Sequence, residues 1–126
     1  MKSNGRVSGA TSGALSPDVF SPRCPSRVLF DHVTSRWALL ILVALSNQTM
    51  RWGELSRLLQ PVTDKMLAQA LRTLEADRLV RREVYPEVPP RVDYSLTERG
   101  QELVALLRPV VDWAQTHAEE IIADAD

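Results

Sequence analysis

Lys65, Gln69 and Arg72 are spaced so that a helix of 3.6 residues per turn projects all three from one side, while Leu67, Ala70, Leu71 and Leu74 project from the other. The polar three are side-chain types that nucleic acid requires. An ammonium or guanidinium neutralises phosphate, and a guanidinium or an amide pairs bidentately with a purine edge in a major groove. Thr63 and Thr73 add hydroxyls to the same segment. A solvated helix surface has the same composition, so the flanking residues must decide. Downstream, Arg81, Arg82 and Arg91 place three guanidiniums on or beside two short β-type runs, where they are expected to face a phosphate backbone.

Catalytic chemistry has less to work with. The two histidines, His32 and His117, lie far apart in sequence, and no Cys/His cluster has metal-ligand spacing, so no cofactor is expected. Asp31, His32 and Cys24 imitate a thiol triad on paper, but adjacent residues of a helix point about 100° apart and serve one thiol poorly. No enzyme activity is expected. Cys24 is the sole cysteine, directly precedes Pro25 at the expected start of the first helix, and is flanked by Arg23 and Arg27. A helix N-terminus and nearby guanidiniums both favour the thiolate. An inert, packed small residue is the competing reading.

These side chains need elements to hold them. Ser35–Leu45 is apolar nearly all round and reads as a buried central helix, its apolar run far too short to span a bilayer. After the polar break Ser46-Asn47-Gln48-Thr49, residues Trp52–Leu59 read as a short helix with Trp52, Leu55, Leu58 and Leu59 inward. Pro61 cannot continue it, and Thr63 is a good N-cap for the next helix, whose amphipathic pattern is expected to run to Leu79. Helix, tight turn and helix form a helix-turn-helix. Val80–Tyr85 and Arg91–Leu96, rich in β-branched and aromatic residues and joined through Glu87-Val88-Pro89-Pro90, then form a hairpin, the wing. The fold class expected is mainly α with a small β-hairpin wing (α+β), a winged helix-turn-helix over residues 24–97.

From Cys24 to Ile121 the chain resembles the HxlR-type regulators, a bacterial family of winged-helix transcription factors related to the MarR type. The resemblance is carried by Cys24-Pro25, Arg36-Trp37, Arg51-Trp52-Gly53-Glu54-Leu55, Lys65-Met66-Leu67, Leu71–Asp77 and, most diagnostically, Pro89-Pro90-Arg91-Val92-Asp93-Tyr94-Ser95-Leu96-Thr97. It implies a sequence-specific DNA-binding regulator. Because relatives with a cysteine at this location sense oxidants or electrophiles, it also implies a switch at Cys24. Thr34-Ser35 and Arg78 stand where the family usually has glycines, and Ala68 and Ala70 depart from the usual pattern on the reading helix, so no operator sequence carries over. Without glycine at 78, a helix end with positive φ costs up to about 1 kcal/mol.

The formal net charge of −1 conceals a division along the chain. Residues 1–48 carry five basic and two acidic groups, 49–92 eight and six, and 93–126 two and eight. DNA binding needs a local basic face rather than a basic whole. The acidic segment, 98–126, reads as one long helix capped by Thr97, with Leu103, Leu106, Leu107, Val110, Trp113, Ala114, His117 and Ile121 in an apolar stripe. At 1.5 Å per residue it is about 40 Å long, more than its own domain covers. A second copy is the expected cover, giving a homodimer on a palindromic operator. A helix folded back on its own domain at Pro109 is the competing reading. Residues 1–23, rich in Ser and Gly, read as a flexible tail with no signal-peptide core, so a cytoplasmic protein without membrane contact is expected. Two alternatives stay open: a winged-helix module for protein contacts, and a regulator controlled by a small-molecule effector rather than by its thiol.

Overall fold

In the computed structural model, residues 18–125 are described, and they divide into an N-terminal unit ending at Ser35 and a second unit from Arg36 onward. In the first unit α1, Pro25–Val33, begins where the ring of Pro25 presets helical φ and Cys24 takes the extended N-cap conformation. Residues 1–17 of the expected tail lie outside the described residues. Residues 18–23 form hydrogen-bonded turns: Ser21 N–H donates to the Asp18 carbonyl and Cys24 N–H to that of Ser21, each at 3.0 Å.

The second unit opens with α2, Arg36–Ala44, whose Ala38, Ile41, Leu42 and Ala44 are buried. A two-residue strand, β1 (Met50–Arg51), runs straight into α3, Trp52–Leu58. The turn through Pro61 leads to α4, Asp64–Ala76, then to β2, Val80–Tyr85, and β3, Arg91–Leu96. The chain finishes with α5, Glu98–Ala125. The core is a stack of leucine and isoleucine: Ile41, Leu42 and Leu45 from α2 and its end, Leu55 from α3, and Leu67, Leu71 and Leu74 from α4 are all fully buried. Each such side chain contributes about 1.5–3 kcal/mol by leaving water.

The strands form one antiparallel sheet in the order β1-β3-β2. Val80 pairs with Leu96 and Tyr85 with Arg91, so the hairpin has the boundaries expected from sequence. The third strand was not expected. Met50 pairs with Tyr94 and Arg51 with Asp93, and two residues are too few for alternation to register as a pattern.

Two local expectations need correcting. Leu58 is exposed, not inward. Around α3, Leu55, Leu59 and Trp52 fall within about 60° of one another, while Leu58 lies about 60° to the opposite side of Leu55. The helix carrying the polar stripe closes at Ala76, three residues before Leu79. There Arg78 adopts φ 62°, its N–H donates to the Glu75 carbonyl, and Leu79 N–H donates to that of Leu74 at 3.0 Å. These are the two bonds of a Schellman cap, with Leu74 and Leu79 both buried beneath it.

That cap also seats α5. The Thr97 hydroxyl donates to the Arg78 carbonyl at 2.7 Å and accepts from Gly100 N–H at 3.0 Å, while Thr97 N–H donates to the Leu79 carbonyl. A Cβ on Gly100 would overlap the Leu79 carbonyl oxygen, so the approach of α5 to the end of α4 requires glycine. Val104 is buried, but Leu106, Val110, Trp113, Ile121 and Ile122 farther along are exposed.

Candidate nucleic-acid interface

The polar stripe is held in place from below. Thr63 is extended at the N-cap and its hydroxyl accepts Met66 N–H at 3.1 Å, which starts α4 at a defined residue. Asp64 in the first turn complements the helix dipole. Leu67, Leu71 and Leu74 then anchor one face, so the rotation of the helix is set and Lys65, Gln69 and Arg72 must point outward. All three are exposed and make no side-chain hydrogen bond or ion pair with other described residues. Thr73 is half-buried at the edge of this face, and Met66 adds an exposed apolar group beside it.

In the wing, the pleat separates Arg81 from Arg82. Both are exposed, but adjacent strand residues point to opposite faces. Arg82 shares a face with Val80 and Val84, opposite Tyr94, whereas Arg81 shares the polar face with Glu83 and Tyr85, opposite Ser95. Arg91 is held differently. Its Nη1 lies 3.4 Å from Glu87 Oε2, its Nε lies 3.4 Å from Asp93 Oδ1, and its guanidinium carbon sits 4.0 Å above the centre of the Tyr85 ring. The Nε atom is shut off from solvent. Of the three wing arginines, this one is already neutralised.

Arg57, on α3, was missed by the sequence reading. It is exposed, it has no ion-pair partner among the described residues, and the first helix of a helix-turn-helix crosses the phosphate backbone. The available signal was an outward cation on that helix. The start of α3 is fixed from one side, where Glu54 Oε1 accepts Arg51 N–H at 2.9 Å.

In the N-terminal unit, Cys24 is buried, with Sγ 3.0 Å from the Ser26 hydroxyl oxygen. The thiol is held below its ordinary pKa, first by that hydroxyl and then by the Ser26 and Arg27 backbone amides at the start of α1, against burial and the Asp18 charge, which act the other way. The expected help from Arg27 is not what the geometry shows. Its Nε donates to Asp31 Oδ1 at 3.2 Å and its Nη1 to the Phe20 carbonyl at 3.4 Å. Asp31 is thereby committed to a surface ion pair.

Along α5, Leu103, Leu107 and His117 are half-buried and Leu106, Val110, Trp113 and Ile121 exposed, so most of the expected dimer stripe is uncovered by its own chain. His117 stacks on Trp113 with ring centres 4.9 Å apart. Among the described residues no group of three or more His, Cys, Asp or Glu side chains can hold a metal, and no helix is long and apolar enough to cross a membrane.

Comparison with known proteins converges on one family. The family described as HxlR-like helix-turn-helix matches residues 32–122. The HTH-type transcriptional regulator YtfH of Escherichia coli strain K12 is 44% identical over 109 residues, 86% of either chain. Among solved structures, the transcriptional regulator ytfH of Salmonella typhimurium superposes with a TM-score of 0.80 at 42% identity, covering 86% of this chain and 96% of its own. The oxidised form of the redox regulator HypR superposes with a TM-score of 0.69 at 35% identity, covering 74% and 96%.

Proposed function

The chain belongs to the HxlR-like helix-turn-helix family of transcriptional regulators and carries its DNA-binding fold, and from that premise we propose that it acts as a homodimer on a palindromic operator. In this reading α4 enters the major groove. Gln69 and Arg72 read base edges, Thr63, Lys65 and Thr73 fix the helix against phosphates, and Arg57, Arg81 and Arg82 grip the backbone to either side. The observation that carries it is the Lys65-Gln69-Arg72 stripe, exposed and without side-chain partners among the described residues, on a helix whose other face is locked into the core.

A second copy would cover the apolar stripe of α5 from Leu103 to Ile121. Phe20, Val28, Leu29 and Phe30, exposed on the N-terminal unit, offer a further apolar surface for the same contact. Two-fold pairing would set two α4 helices about one turn of DNA, roughly 34 Å, apart. With DNA as partner, the working compartment is the cytoplasm. The relatives' regulatory class supports a binding protein rather than an enzyme.

The test is a fluorescence-anisotropy titration of the full chain against duplexes from the DNA upstream of its own and the adjacent gene, at several salt concentrations. Saturable binding that discriminates one duplex, with a steep salt slope, is the expected result. Equal, weak binding to every duplex would leave a winged-helix protein-interaction module as the better reading.

A second reading concerns the signal. The lowered Cys24 thiol, together with the redox regulator HypR among the structural relatives, supports oxidation or electrophile attack at Cys24 as the trigger for operator release. With one cysteine per chain, a disulfide must join two chains or take a small thiol. Diamide should weaken operator binding by the wild type and leave Cys24→Ser unaffected. If both respond equally or neither does, a small-molecule effector becomes the better account.

A further inference from the structure

The polar face of the sheet holds a continuous chain of charges from the wing loop to the first helix of the helix-turn-helix. Glu87 in the loop meets Arg91 at the start of β3, Arg91 meets Asp93 two residues along the same strand, and Asp93 meets Arg51 across the sheet, with Nε at 3.9 Å from Oδ1. Arg51 and Asp93 are also direct register partners, and Arg51 is the N-cap of α3. Tyr85, the register partner of Arg91, lies flat under its guanidinium.

We propose that Arg91 is a positioning residue rather than a phosphate contact, and that with Asp93 it fixes the wing's angle to α3 and hence to the reading helix α4. This rests on the reading of α4 and the wing as the DNA surface. The stacked ring and the two carboxylates at 3.4 Å hold the Arg91 guanidinium within the wing, although its buried Nε makes no hydrogen bond, and Glu87 and Asp93 offset its charge locally. Asp93 also stands directly opposite Glu83 on β2. Like charges in that position repel, so Asp93 weakens the hairpin unless both guanidiniums hold it. Such an arrangement is useful if the carboxylate links two elements. A planar fork that stacks and pairs at once is required of Arg91, and an ammonium cannot replace it.

The experiment compares wild type with Arg91→Lys, Arg91→Ala, Asp93→Asn and the Arg91→Ala/Asp93→Asn double variant. The readouts are anisotropy against the preferred upstream duplex and amide hydrogen exchange without DNA. Electrostatics alone makes Asp93→Asn a gain, because it removes a negative charge from a surface that meets phosphates. Positioning makes it a loss, of about tenfold in affinity, within the range for coupled neighbours. Arg91→Lys should lose as much as Arg91→Ala, and the double variant no more than either single one. Amides of β3 and of the first turn of α3 should exchange faster together in Asp93→Asn.

Tighter binding by Asp93→Asn would overturn the proposal. So would wild-type affinity in Arg91→Lys with a salt slope about one lower in Arg91→Ala, which marks a phosphate contact. If the wild type binds no duplex, the DNA reading fails, and hydrogen exchange still decides the linkage: unchanged exchange at the start of α3 refutes it. Should Arg91→Ala fail to fold, the near-isosteric Asp93→Asn still tests the proposal.

Discussion

Gln69 carries no charge, so it can separate base reading from phosphate binding. Gln69→Ala should cost about 1–3 kcal/mol on the preferred duplex, less on a base-substituted one, and leave the salt slope unchanged. Arg81→Ala should weaken every duplex alike and lower the slope by about one. Titrations at several salt concentrations check both, and a uniform loss in Gln69→Ala would move base readout elsewhere. Cys24 offers a second residue-level test. Because the folded protein favours its thiolate, alkylation should reach its plateau at lower pH than for a free cysteine, near 8.5, and Ser26→Ala should move the midpoint up. The same depression adds stability where the thiolate is populated and loses it as pH falls through the folded pKa. How far such residues were legible varied with where their partners lie. Lys65, Gln69 and Arg72 could be placed outward because one helical period fixes their direction relative to Leu67 and Leu71. The contacts of Arg91 were not legible, because Tyr85 and Asp93 reach it only through the hairpin register and strand pleat. Arg27 is hidden in the same way: adjacency to Cys24 in sequence does not fix where its guanidinium goes, and the side chain turns to Asp31, one helical turn on.

Elements with strong start or stop chemistry were legible to the residue. Thr63 caps α4, and both hairpin strands keep the bounds expected from runs rich in β-branched and aromatic residues either side of Pro89-Pro90. The end of α4 was not, because Leu79 keeps the apolar period after the backbone has left the helix. Arg78 can be tested there. With φ at 62°, Arg78→Gly should stabilise the fold by up to about 1 kcal/mol, seen as a rise of a few degrees in Tm. A fall would mean that the Arg78 side chain contributes more than its backbone conformation costs. Gly100 predicts the opposite sign. Gly100→Ala brings a Cβ onto a backbone oxygen that cannot rotate away, so α5 must shift off the α4 cap, at a cost of about 1–3 kcal/mol by thermal or urea unfolding. Nothing in the sequence around Gly100 signals this contact. It arises where Thr97 pins the start of α5 to the carbonyls of Arg78 and Leu79.

At the scale of the whole molecule, the unresolved demand is α5. Twenty-eight residues rise about 42 Å, and past Val104 its exposed apolar side chains include Leu106, Val110, Trp113, Ile121 and Ile122. Exposed apolar side chains gathered along one helix are the kind of surface that a partner covers. Trp113 is 57% exposed in the single chain, so Trp113→Glu removes little from the monomer's own packing and its circular dichroism should be unchanged. In a two-fold contact the same substitution buries two carboxylates in apolar surroundings, a cost of several kcal/mol. Dimer association should therefore weaken by at least a hundredfold in sedimentation. Operator affinity should fall with it, because each α4 would then bind its half-site alone and the gain from linked sites is lost. The monomeric variant should retain the weak, salt-sensitive binding of one half. A wild type that sediments as a monomer at micromolar concentration would sink the pairing. Trp113→Glu with unaltered association would shift it to the apolar surface of the N-terminal unit around Val28, Leu29 and Phe30.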